Sequence, residues 1–163
     1  MDNIFLQVSF DLIHILATIT WFGALFTNFV IVMPVATKVL EQPVLAKFMS
    51  ALMKRNKTVV YISLAALFIT GIPMKIASEN YVSIINFSND WQIFLFIKHI
   101  LVVILAVLAI INFEVIVPRI QRAAKAGDIA ILTRTKKIQA ATGKASFFMA
   151  FLIILFSAIM NYL

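Results

Sequence analysis

Apolar residues run almost unbroken through four stretches of the chain, roughly Ile4 to Met33, Thr58 to Ala77, Trp91 to Val117 and Ala145 to Leu163. A helix crossing a hydrocarbon core of about 30 Å needs on the order of 20 apolar residues. Inside lipid the backbone must satisfy its own polar groups, and these runs are too long and too continuous for barrel strands. The pattern predicts an all-α, polytopic membrane protein. Residues 1–163 form one domain, a four-helix transmembrane bundle with short amphipathic connections. No internal repeat is evident, although each half consists of a span, a basic connection and a return span.

Between the first two runs, Val44, Leu45, Phe48, Leu52 and Met53 recur at helical spacing among Lys47, Lys54 and Arg55, after Pro34 and Pro43. This predicts a short amphipathic helix leading into span two. Between the last two runs, Ile120, Ala124, Ile129, Ile131, Leu132 and Ile138 give a similar pattern, and both connections are expected at the membrane surface. The segment from Ser78 to Asp90, with Tyr81, Ile84, Ile85 and Phe87, is expected in the interface or over the opposite end of the bundle. Met49 and Met53 share a helical face, which reads first as packing and only second as a copper site.

Composition agrees with the pattern: 63% of residues are hydrophobic and 13% charged, and the mean hydropathy is +1.02. That is too much apolar surface for a water-soluble domain of this size to hide. The net charge of +7 sits mainly in the two connections. By the positive-inside rule both face the cytoplasm, and both termini lie outside a plasma-type membrane. The basic balance then reflects topology and attraction to anionic headgroups rather than nucleic-acid binding, since no aromatic platform is interleaved with the charges. The first run lacks a basic leader and exceeds a secretory apolar region, so span one is expected to be retained. There is no cysteine, which excludes disulfides, thiolate metal sites and covalent haem attachment.

Ionisable groups inside the spans are the candidate chemistry, because lipid makes them costly. In span one Gln7, Asp11, His14, Thr18, Trp21 and Asn28 follow steps of four, three, four, three and seven, a stripe expected to line the bundle interior. Span three carries Lys98 and His99, about 100° apart around the helix, with Asn112 nearly eclipsing Lys98. His14 and His99 lie roughly 14 Å and 12 Å into their spans at about 1.5 Å per residue. Parallel entry would bring them to one depth, and two imidazoles with an apolar slot can hold a b-type haem. Phe5, Phe10, Trp21, Phe22, Phe94 and Phe96 are candidates for the slot. Asp11, one turn before His14, is placed to orient its ring or to neutralise Lys98. The plain alternatives are histidines that hydrogen-bond a neighbour and a lysine that snorkels to the headgroups. Without further ligands the pair makes an incomplete zinc or copper site. Glu114, near the end of span three, is expected at the interface by Arg119.

The segment from His14 through Trp21-Phe22-Gly23 to Phe26 resembles the first-span signature of the CopD-like membrane superfamily, which includes the HemJ-type protoporphyrinogen oxidases. Lys98, Asn112 and Pro118-Arg119 are similar to that family's third-span pattern, and the resemblance covers spans one to three. It implies copper tolerance or uptake in one branch. In the HemJ-type branch it implies haem b with a first-span histidine and a third-span lysine, here His14 and Lys98. The chain departs from that branch by reading Thr27-Asn28-Phe29-Val30 where an arginine is expected, and by adding His99.

Three classes of function follow. The first is a haem b protein relaying electrons between a quinone-type or external donor and a partner, with His14 and His99 as ligands; Asp11, Trp21 and Lys98 complete the cofactor-binding set. The second is a copper-handling protein. The third is an accessory subunit, or a homo-oligomer, packed against another membrane protein. An enzyme reading survives only as a variant of the first, since no nucleophile, phosphate loop or paired carboxylate argues for hydrolysis or group transfer.

Overall fold

A computed structural model of the chain describes residues 4–77, 87 and 89–163. Within them the fold is all α-helical, with four helices long and apolar enough to cross a membrane: α1 (Ile4–Val39), α2 (Gln42–Ile76), α3 (Asp90–Ala126) and α4 (Ile129–Tyr162). The protein is a multi-pass membrane protein. Most of each helix's apolar surface is exposed, including Leu16, Ile62, Ile69, Val103, Val107 and Phe151. Water would penalise such a surface, whereas lipid accepts it.

The helices extend further into the basic connections than the apolar runs do. The predicted amphipathic helix after Pro43 is the first part of α2, continuous with the span, and most of the second basic connection belongs to the ends of α3 and α4. Only Leu40 and Glu41 separate α1 from α2, and Gly127 and Asp128 separate α3 from α4. The second turn is closed by Gly127 at φ +69°, a left-handed position that glycine occupies without a Cβ penalty. Asp128 then caps α4, its carboxylate accepting from the Ile131 N–H at 2.9 Å. Asn89 caps α3 in the same way at 2.8 Å from the Gln92 N–H. The predicted surface segment from Ser78 lies almost wholly outside the described residues. Of it, Phe87 is exposed and meets the Phe96 ring edge-on at 5.2 Å.

Pro34 and Pro118 do not end their helices. Each follows a π-helical stretch, Thr27–Val32 in α1 and Ile111–Ile116 in α3. A proline ring collides with the carbonyl four residues earlier and supplies no N–H. Widening the preceding turn accommodates both defects. The Met33 N–H reaches back to the Asn28 carbonyl, and the Val117 N–H to that of Asn112.

The two stretches share a motif. Asn28-Phe29 with Pro34 and Asn112-Phe113 with Pro118 share the same internal spacing and stand 84 residues apart (28 to 112, 34 to 118). Extending that register matches Trp21 with Leu105, both buried, and His14 with Lys98. α1 and α3 therefore share an Asn-Phe motif with a proline five residues after the phenylalanine, a local correspondence between the first helices of the two hairpins. The motif escaped the hydropathy pattern because the residues around these three differ, as at Val30 and Glu114 or Val35 and Arg119.

Within each hairpin the helices pack along their length, α1 on α2 and α3 on α4. Near the basic connections the hairpins also meet each other. Phe22, Phe26 and Phe29 of α1 gather around Phe147 of α4, and Gly143 leaves the notch that the Phe29 ring occupies. On the other side Tyr61 of α2 meets Phe113 of α3 edge-on at 5.9 Å. The core joins Trp21, Val60, Leu64, Leu105, Ala150 and Ile153. Small residues in it let helices approach closely, which matters where lipid offers no hydrophobic drive for association.

Candidate functional site

Two groups of polar residues stand out, one at each end of the bundle. At the end away from the basic connections, His14 Nδ1 lies 2.8 Å from Thr70 Oγ1 on α2. The Thr70 hydroxyl already donates its one proton to the Ala66 carbonyl at 2.7 Å, so His14 Nδ1 must carry the hydrogen and donate to Thr70. Gly71 leaves room for the ring, since a Cβ there would stand 3.1 Å from His14 Cε1. His99 Nδ1 is 2.6 Å from the Leu95 carbonyl; a carbonyl only accepts, so this imidazole too is the Nδ1–H form. Both rings thus commit one nitrogen to an internal acceptor and keep an Nε2 lone pair. Among the described residues neither Nε2 takes a hydrogen-bond partner.

Lys98, Asp11 and His99 are all near enough to act on the charge of His14, and Lys75 on that of Lys98 and His99. The structure therefore gathers His14, Asp11, Lys98 and His99 at one end. The residue fixing the His14 ring is Thr70 on the neighbouring span, where sequence alone pointed to Asp11, which is exposed. The predicted slot does not form as a unit. Phe5 is exposed on α1, Phe22 joins the Phe147 cluster, Phe94 packs on Phe156, and Trp21 lies two turns away in the core.

The polar stripe of α1 also divides. Gln7 and Asp11 are exposed, His14, Thr18 and Asn28 half-buried, and Trp21 buried. An average step of 3.5 residues falls short of the helical 3.6, so such a stripe drifts by about 20° per heptad. Over the length from Gln7 to Asn28 the drift is enough to turn the first residues out toward lipid.

The second group surrounds a cavity of about 130 Å³ in the basic-end half, beneath Trp21 and between the π-helical stretches. Each helix contributes one carboxamide: Asn28, Asn56, Asn112 and Gln139. Gln139 Nε2 donates to Asn112 Oδ1 at 3.3 Å. The Asn28 and Asn56 amides have no hydrogen-bond partner among the described residues. Met49 and Met53 face the same space, joined by Met33.

Beside it, Glu114 is bound between α2 residues instead of reaching Arg119. Lys57 Nζ lies 2.8 Å from its carboxylate and the Tyr61 hydroxyl donates to it at 2.7 Å. Sequence reasoning missed this clamp, and it missed Thr70 and Asn56 as well, because each acts through a contact between different spans. The repeated Asn-Phe and following proline was the available signal for the cavity.

The chain belongs to the DUF4149 family, a domain of unknown function. The family match covers residues 16–129. It includes His99, Lys98 and the cavity residues of the first three spans, while His14 and Gln139 fall outside it. No curated protein and no solved structure matches the chain. No group of three or more histidine, cysteine or acidic side chains suited to a metal ion occurs among the described residues.

Proposed function

We propose that this member of the DUF4149 family is a small membrane redox protein that binds haem b through His14 and His99. The observation that carries the reading is the state of the two imidazoles, each holding its Nδ1–H against an internal oxygen and keeping Nε2 for a ligand. Internal acceptors at Nδ1 are the usual partners of metal-bound histidine, because they fix the ring and raise the basicity of the other nitrogen. A bound b-type haem would supply reversible one-electron storage.

The chain's own part is positioning. Thr70 holds the His14 ring and Gly71 makes space beside it. Leu95 holds His99 from its own helix. Lys98 adds the positive charge that an anionic porphyrin edge requires, and Asp11 tempers it. On this reading the chain is allied to the CopD-like superfamily, with the His14 and Lys98 pairing of the HemJ-type branch and His99 as the added ligand. The positive-inside rule sets the basic connections in the cytoplasm and both termini outside the plasma membrane.

A reduced-minus-oxidised absorbance spectrum of protein purified in detergent from haem-replete cells, with metal analysis of the same sample, tests the proposal. Sharp six-coordinate b-type bands are expected, lost in both His14→Ala and His99→Ala. A colourless protein overturns the haem reading, and copper in its place moves the assignment to a copper-handling protein.

A further inference from the structure

The cavity between the hairpins takes the Asn-Phe pair of the shared motif from each of α1 and α3. Asn28 and Asn112 occupy equivalent positions in the two motifs, each accepting at its backbone carbonyl from the N–H of the residue before a proline. Their side-chain amides face the same space from opposite hairpins. Because Gln139 donates to the Asn112 oxygen, the Asn112 NH₂ keeps its hydrogens for another partner. The Asn28 NH₂ is likewise uncommitted among the described residues. Two sets of N–H donors therefore converge on one chamber from equivalent sites.

The chamber selects by charge and size. No lysine, arginine or acidic side chain lines it, so a charged ligand would lose its hydration without a countercharge. Its wall is otherwise mostly apolar, with Met33, Met53, Leu25 and Phe113 between the amides. Water molecules need two to four polar partners each, which such a wall offers only in patches. The volume of about 130 Å³ approaches the roughly 150 Å³ of a cavity that admits one benzene ring. A ligand that satisfies all three conditions is an uncharged six-membered ring with a hydrogen-bond acceptor at each of two opposite positions.

We infer that this cavity binds the head group of a membrane quinone, with the Asn28 and Asn112 amides donating to its two carbonyl oxygens. Donors that face one space from opposite hairpins suit para-carbonyls, which point in opposite directions, and a lipid-dissolved ligand can reach a site between membrane-spanning helices. Recognition here is independent of the histidines, since Asn28 lies roughly 21 Å along α1 from His14 at about 1.5 Å per residue.

Trp21 lines the cavity, and the chain has two tryptophans, so Trp91→Phe leaves a single reporter at the site. Detergent-purified Trp91→Phe protein is titrated with decylubiquinone while its fluorescence is followed. Saturable quenching is expected. In the same background Asn28→Leu or Asn112→Leu weakens the midpoint about tenfold, as loss of one buried donor implies. Ala109→Leu, which fills the cavity, abolishes saturation. Circular dichroism selects the variants that retain the helical fold, and any one of the three suffices. Quenching that rises linearly without saturation, or a midpoint unchanged in a folded variant, overturns the inference whatever the haem spectrum shows.

Discussion

Replacing Thr70 by valine removes the acceptor that fixes the His14 tautomer while keeping the side chain's shape. Thr70 is 1% exposed, so no water replaces the lost hydroxyl. Two bonds disappear, the one accepted from His14 at 2.8 Å and the one donated to the Ala66 carbonyl at 2.7 Å. The second costs little, because that carbonyl retains its place in the helix ladder. The first leaves an imidazole N–H without its partner, and an unmet buried donor costs about 1–3 kcal/mol. His14 is half-buried, which places the expected loss near the lower part of that range, about 1–2 kcal/mol. Thr70→Ser keeps the hydroxyl and gives up one methyl, worth about 0.8 kcal/mol or less. Thermal unfolding in detergent gives the order wild type, serine, valine. Nitrogen-15 NMR of labelled histidine gives the sharper test: His14 is the Nδ1–H tautomer in wild type and in Thr70→Ser, and a mixture in Thr70→Val. His99, held by a backbone carbonyl, stays unchanged in all three. An unaltered Nδ1–H signal for His14 in Thr70→Val would refute Thr70 as the residue that fixes the tautomer, and an Nε2–H signal in wild type would refute the assigned donor direction and with it the pre-set Nε2.

The glycines of α1 and α4 give an independent check on packing. Gly23→Ala meets nothing within 4 Å and should raise stability by about 0.5–1 kcal/mol through helix propensity. Gly143→Ala drives a Cβ into the Phe29 ring, an overpacking cost of about 1–3 kcal/mol, and a smaller side chain at Phe29 should relieve it; equal melting shifts for the two alanine variants would contradict the helix contact. In the clamp between α2 and α3, Glu114→Ala and Lys57→Ala each lower the melting temperature, and the double variant loses less than the sum of the two. Strict additivity in that cycle would mean that the 2.8 Å pair does not couple the hairpins.

Four spans were legible because lipid imposes a single requirement, an apolar run of sufficient length, and nothing else in the chain satisfies it. Helix ends were not. Lys47, Lys54 and Arg55 interrupt the hydropathy of a helix whose backbone continues without a break from Gln42 to Ile76. The prolines misled for a related reason: Pro34 signals a stop only if the preceding turn stays α-helical, and here that turn widens. At the histidine end the sequence identified the residues that the fold brings together, since His14, Asp11, Lys98 and His99 are conspicuous in lipid. It did not identify the hydroxyl that fixes His14, because Thr70 is an ordinary residue until α2 is docked. Asn56 was invisible for a similar reason, lying in a stretch that composition assigns to the basic connection although it faces the cavity.

The register shared by α1 and α3 also shows how the two ends of the bundle differ. In α1 and α3 the register that pairs Asn28 with Asn112 and Phe29 with Phe113 pairs His14 with Lys98. Near the basic connections each hairpin places an asparagine of the shared motif at the cavity, Asn28 on one side and Asn112 on the other. At the opposite end an imidazole stands where its counterpart is an ammonium, with His99 one position further around α3. Equivalent backbones there carry inequivalent charge, and any group held between them meets a different chemistry on each hairpin. Exchanging the pair, with His14→Lys and Lys98→His in one chain, preserves the residue set and reverses the asymmetry. If the site depended only on having these groups near one another, the exchanged protein would retain the haem proposed for it. Because Thr70 and Gly71 are shaped around an imidazole on α1, the result expected on the proposed reading is loss of the b-type haem spectrum with the helical fold intact, and a retained spectrum would show that the hairpins are interchangeable at that end.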